Sequence, residues 1–79
     1  MINNEIYLKN LGYFGTISKL MYAHRKLLEI LSIYGIVRRI EISIDKNIGL
    51  VEMSTSSEAR TAKKYLDGLD FNGKKLIAI

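Results

Sequence analysis

Val37-Arg38-Arg39-Ile40-Glu41-Ile42-Ser43-Ile44-Asp45, followed by Lys46-Asn47-Ile48-Gly49-Leu50-Val51-Glu52-Met53, has a period of two, interrupted once. Successive side chains of a strand point to opposite sides, so Ile40, Ile42 and Ile44 fall on one face and Arg39, Glu41 and Ser43 on the other. Asp45-Lys46-Asn47 is turn chemistry, and Ile48 to Met53 resumes as a further strand. The segment therefore predicts an antiparallel hairpin with a tight loop.

On both sides of this hairpin the period changes to that of a helix. Upstream, Ile17, Leu20, Met21, His24, Leu27, Leu28, Leu31 and Tyr34 recur at three- and four-residue spacings. That stripe predicts a long helix, capped by Thr16 or Ser18, ended by Gly35, and facing a core. Downstream, Thr55-x-x-Glu58 is a capping box, in which each side chain satisfies a free N–H at the helix start. Ala59, Ala62 and Leu66 continue that helix with small inward residues, and Asp67-Gly68 stops it. Ile6-Tyr7-Leu8-Lys9 reads as a first strand, closed off by Gly12, and Leu76 to Ile79 as a last one. The order is βαββαβ, which predicts an α+β, ferredoxin-like sandwich: a four-stranded antiparallel sheet with two helices on one face. The other face of the sheet stays open, and function is expected there.

Composition narrows the classes of function. Seventy-nine residues without proline, low complexity or repeat give one domain spanning 1–79. Twelve Lys and Arg against eight Asp and Glu leave a net charge of +4, a field that attracts polyanions. With no cysteine and a single histidine, His24, thiolate or histidine metal sites have no ligands, and no cofactor is expected. No apolar run is long enough to span a bilayer and no leader is visible, so the expected setting is intracellular, cytoplasmic by default or nuclear, without a membrane. The acidic residues are scattered, and no Ser-His-acid set supports a nucleophile, so catalysis is not expected.

Several stretches together resemble the RNA recognition motif (RRM) family. Ile6-Tyr7-Leu8-Lys9-Asn10-Leu11 is similar to that family's six-residue first-strand motif. Tyr34-Gly35-Ile36-Val37 is similar to its exit from the first helix. Ala59-x-x-Ala62-x-x-x-Leu66-Asp67-Gly68, followed by Phe71-Asn72-Gly73-Lys74, is similar to its second helix and final turn. Lys46 to Met53 aligns with the eight-residue third-strand motif, but Ile48 and Leu50 stand where that motif carries aromatic rings. The segment from Asn10 to Tyr34 is also longer than the family's. The resemblance implies single-stranded RNA as partner, bound on the open sheet face, where outward rings stack on bases. Carried over residue by residue, it implies Tyr7 as the stacking platform, Lys9, Arg39 and Lys46 as phosphate or base-edge contacts, and Ile48 and Leu50 as apolar supports.

Each assignment has a blander counterpart. Tyr7 is also a good filler of a half-buried sheet surface. His24 in the helical stripe reads as a core-side residue, and Lys63-Lys64 and Lys74-Lys75 as solvated lysines. Gly68-x-x-x-x-Gly73-Lys74 imitates a phosphate-binding loop but lacks the Ser or Thr and the following helix. Gly12-Tyr13-Phe14-Gly15 imitates the GXXG clamp of KH domains but follows a strand. Alternation places Tyr7, Lys9, Arg39, Glu41, Ser43, Ile48, Leu50, Glu52, Ile77 and Ile79 on the open face. So apolar a surface predicts a cover, either RNA bases or a protein partner, including a second copy of the chain.

Overall fold

The computed structural model describes residues 3–12, 16–43 and 47–79. Its elements are β1 (Glu5–Lys9), α1 (Ile17–Leu31), β2 (Val37–Ser43), β3 (Ile48–Met53), α2 (Ser56–Leu66), β4 (Asp70–Phe71), β5 (Lys74–Lys75) and β6 (Ile77–Ala78). β2, β3, β1 and β6 form one antiparallel sheet in that order, and both helices contact it. This is the βαββαβ sandwich that the periodicity predicts. β4 and β5 add a small hairpin between α2 and β6.

The core follows the alternation. Ile6, Leu8, Val51, Met53, Leu76 and Ala78 are buried on the helix side, with Ile40 and Ile42 packed against them. Ile44, assigned to the same face, lies outside the described residues. Gly49 is buried as well, and a Cβ there would come within 3.2 Å of Leu11 Cδ1. The register of β2 against β3 shifts between Val37 and Arg39. By that bulge Val37 packs against the core although Arg39, two residues on, pairs with Glu52 on the open face.

Thr16 caps α1, its hydroxyl accepting from Lys19 N–H at 3.2 Å. The inward stripe of α1 differs from the predicted one. The residues against the core are Leu20, Ala23, Leu27, Ile30, Leu31 and, beyond the helix end, Tyr34. Ile17 and Met21 are 72% and 61% exposed, Leu28 is exposed, and His24 faces solvent. The apolar arc of α1 covers roughly half its circumference at 3.6 residues per turn, wider than the sheet can cover. The helix settles on the side where Ala23 permits close approach, leaving the other margin of the arc outside.

α1 also ends before Gly35. Ser32 is its C-cap, and the Ser32 hydroxyl donates to Leu28 O at 2.6 Å, a bond that competes with helix continuation. Gly35 serves a different purpose, since a Cβ on it would meet Glu58 Cγ at 2.6 Å and Glu58 Cβ at 2.8 Å. The capping box at α2 forms as predicted: Glu58 N–H donates to Thr55 Oγ1 at 3.1 Å, and the Glu58 carboxylate accepts from the Thr55 backbone in return. That carboxylate also accepts from the Ser54 hydroxyl and the Ile36 N–H. The Ser54 bond leads in holding it below its ordinary value, ahead of the two backbone bonds and against a desolvation that raises it.

The last predicted strand, Leu76 to Ile79, is shorter in the fold. Leu76 turns inward and donates its N–H to Leu69 O at 2.8 Å. The β4–β5 hairpin turns through Asn72 (φ 52°) and Gly73 (φ 78°), the two positive φ values of a type I′ turn. Asn-Gly is the strongest short-range hairpin signal, and it was present in the sequence.

Candidate nucleic-acid interface

The open face is built in cross-strand rows. One row runs Glu41, Leu50, Tyr7 and Ile79, and the next runs Ser43, Ile48, Lys9 and Ile77. Tyr7 N–H donates to Ile79 O at 3.0 Å, and Ile79 N–H donates to Tyr7 O at 2.8 Å. Both backbone groups of Tyr7 are therefore spent on the β6 side, which makes Tyr7 and Leu50 a non-hydrogen-bonded pair. In such pairs the side chains approach most closely. Tyr7 is 51% exposed, next to the half-buried Leu50 and the exposed Ile79. Tyr7, Ile48 and Leu50 line one shallow hollow of about 390 Å³, closed on its β2 side by Glu41, Ile42 and Ser43.

Five of the six residues singled out from sequence thus share one face, while Lys46 lies outside the described residues. Lys9 is exposed, opposite Ile48 on one side and Ile77 on the other. Arg39 is already engaged. Its guanidinium lies 3.4 Å from Glu52, 3.5 Å from Glu41 and 3.6 Å from Glu5, carboxylates supplied by three strands. Each of these half-exposed pairs contributes at most about 1 kcal/mol, so the network is a local charge arrangement rather than a clamp. Its balance is three negative charges to one positive, and Glu41 of β2 and Glu52 of β3 make that side of the face acidic, with Glu5 at the start of β1.

The margin beyond β6 is of the opposite sign. Arg60 and Lys63 of α2 border a second hollow, of about 490 Å³, which also touches Tyr7 and Ile79. From sequence alone Lys63 reads as a solvated lysine, and Arg60 has no part in the expected site. The signal that could have found them is the i, i+4, i+7 spacing of Ser56, Arg60 and Lys63, which sets the three on one helix face.

Comparison with known proteins matches residues 6–77 to the RNA recognition motif family. No curated protein matches the chain. Among solved structures, the RNA Binding Protein PG1 is 29% identical, with a TM-score of 0.74 over 98% of this chain and 92% of its own. The Nab3 RRM, from a study of cis-element recognition in non-polyadenylated RNAs, is 22% identical, with a TM-score of 0.75 over 96% of this chain and 91% of its own. The C. elegans NONO-1 homodimer is 20% identical with a TM-score of 0.74. The match covers 96% of this chain but 27% of the NONO-1 chain. The last two share the fold. With the family pattern spanning nearly every element and the four-stranded sheet arranged as that pattern requires, the chain belongs to the RNA recognition motif family, a family of RNA-binding rather than catalytic domains.

Proposed function

We propose that the chain binds single-stranded RNA on the open face of the sheet, with Tyr7 stacking on a base. The observation that carries this reading is the half-exposed Tyr7 ring in mid-sheet, bordered by Leu50 and Ile79. Stacking on an aromatic ring contributes about 1–3 kcal/mol per base and tolerates any base, because every base has a π face. Ile48 and Leu50 support a neighbouring base by apolar contact alone, so this sheet offers one stacking ring and binds more weakly than a face with three. Lys9 and Lys46 contact phosphates. Arg39 meets the strand from within its ring of glutamates, where its chief effect is to offset their repulsion. The test is fluorescence anisotropy with short labelled oligonucleotides. Tyr7→Ala is expected to weaken binding by about 1–3 kcal/mol with an unchanged far-UV spectrum. Equal affinities for the two proteins would refute the stacking role.

A second reading draws on the greasiness of the same face, where Tyr7, Ile48, Ile77 and Ile79 are all exposed. In it, the sheet docks on a protein or on a second copy of this chain. Light scattering separates the two readings, since a dimer dissociated by Leu50→Lys supports docking and a monomer at all concentrations refutes self-association.

A further inference from the structure

We infer that RNA bound at Tyr7 leaves the sheet across β6 and lays its phosphate backbone in the groove against α2, on Arg60 and Lys63. This rests on the sheet-face reading and adds to it a path and a set of cations. Charge selects the direction. Toward β2, a strand leaving Tyr7 meets Glu52 of β3 and Glu41 of β2, which share Arg39 as counter-ion with Glu5 of β1. Toward β6 it meets Ile79, then the hollow of about 490 Å³ walled on its far side by Ser56, Arg60 and Lys63. Among the described side chains lining that hollow the carboxylate is that of Glu5, one of the three glutamates around Arg39, at 3.6 Å.

The cations on this wall are available. Arg60, Lys63 and Lys64 are exposed, and among the described residues none of them forms an ion pair. Arg60 and Lys63 also border another hollow of about 430 Å³, which Lys64 lines too, so a backbone passing the first finds the same two side chains beside the second. The carboxylate there belongs to Asp67, whose Oδ1 accepts from Ala78 N–H at 3.0 Å and so fastens α2 to β6. The apolar and aromatic part of the route lies on the sheet and the cationic part beside it. That division suits a ligand with flat bases on one side and a charged backbone on the other.

The experiment is anisotropy with a labelled eight-nucleotide oligouridine, titrated between 50 and 200 mM salt. The proteins are wild type, Arg60→Gln/Lys63→Gln, Lys74→Gln/Lys75→Gln and Tyr7→Ala. The two double variants remove the same charge, so their difference isolates position from the mean field. Arg60→Gln/Lys63→Gln is expected to reduce the log–log salt slope by at least about 0.7, one phosphate on a single strand. Extrapolated from 1 M salt, that is a roughly fivefold weakening at 0.1 M. The Lys74/Lys75 variant is expected to change it much less, and Tyr7→Ala to weaken binding with the slope retained. If the two double variants behave alike, the path is wrong while a weakened Tyr7→Ala leaves the sheet-face reading standing. If Arg60→Gln/Lys63→Gln abolishes binding and Tyr7→Ala leaves it intact, RNA touches the helix without crossing the sheet, which overturns the path. Wild-type protein that fails to bind the oligonucleotide overturns both.

Discussion

Replacing Gly35 with alanine tests whether the contact between the α1–β2 connection and the α2 cap is as tight as the geometry has it. A methyl at Gly35 would stand 2.8 Å from Glu58 Cβ and 2.6 Å from Cγ, against the 3.5–4.0 Å at which carbon atoms attract. Cγ can swing aside, but Cβ moves only with the helix backbone. Overpacking of this kind costs about 1–3 kcal/mol. Against a total stability of about 4–12 kcal/mol for a chain of this length, the loss is substantial. In urea, with a slope of about 1 kcal/mol/M, the midpoint should fall by about 1–3 M. The companion variant Glu58→Ala removes Cγ and the carboxylate, so part of the clash disappears in the double variant. Gly35→Ala/Glu58→Ala should therefore lose less than the two single changes added together. A strictly additive result, or a Gly35→Ala midpoint equal to wild type, would refute the reasoning.

The same carboxylate sets a pH dependence. Its value in the folded chain lies below the ordinary 4.5, so its stabilisation is complete above the unfolded value and is lost as pH falls through the folded one. Midpoints measured from pH 6 downward should drop less steeply in Glu58→Gln than in wild type, and parallel curves would disprove the linkage. Leu8→Ala, at a fully buried position on the inner face of β1, should cost about 2–5 kcal/mol in the same unfolding assay. Glu41→Gln/Glu52→Gln should strengthen binding of single-stranded RNA at low salt by removing repulsion from the face, and anisotropy showing weaker binding would count against RNA lying there.

Strand alternation made most of the architecture legible, because a slip of one residue would have turned Ile6, Leu8, Val51 and Met53 out to water. The Thr55–Glu58 box was equally legible, since both halves of a local hydrogen-bond pattern lie within one turn. The orientation of α1 was not. Its apolar arc is too wide to specify a contact line, and Ala23, which fixes the approach, carries almost no hydrophobic signal. The candidate site was half readable. Strand parity puts Tyr7, Lys9, Ile48 and Leu50 on the outer face, but the capture of Arg39 by Glu5, Glu41 and Glu52 depends on the pairing of three strands and on the bulge at the start of β2. Periodicity within one element carries no information about that.

β6 is an edge strand two residues long, paired within the sheet with β1 alone and tied to the end of α2 by the Ala78–Asp67 bond, yet it supplies Ile77 and is followed directly by Ile79, the neighbour of Tyr7. Its amides belong among the first to exchange with solvent, since opening here breaks a handful of hydrogen bonds and leaves the other three strands paired. Unzipping β6 would take away one wall of the Tyr7 surface without unfolding the domain. Occupancy of that surface and closure of the sheet edge are therefore two sides of one equilibrium, and a ligand resting on Ile79 would slow deuterium uptake at residues it never touches.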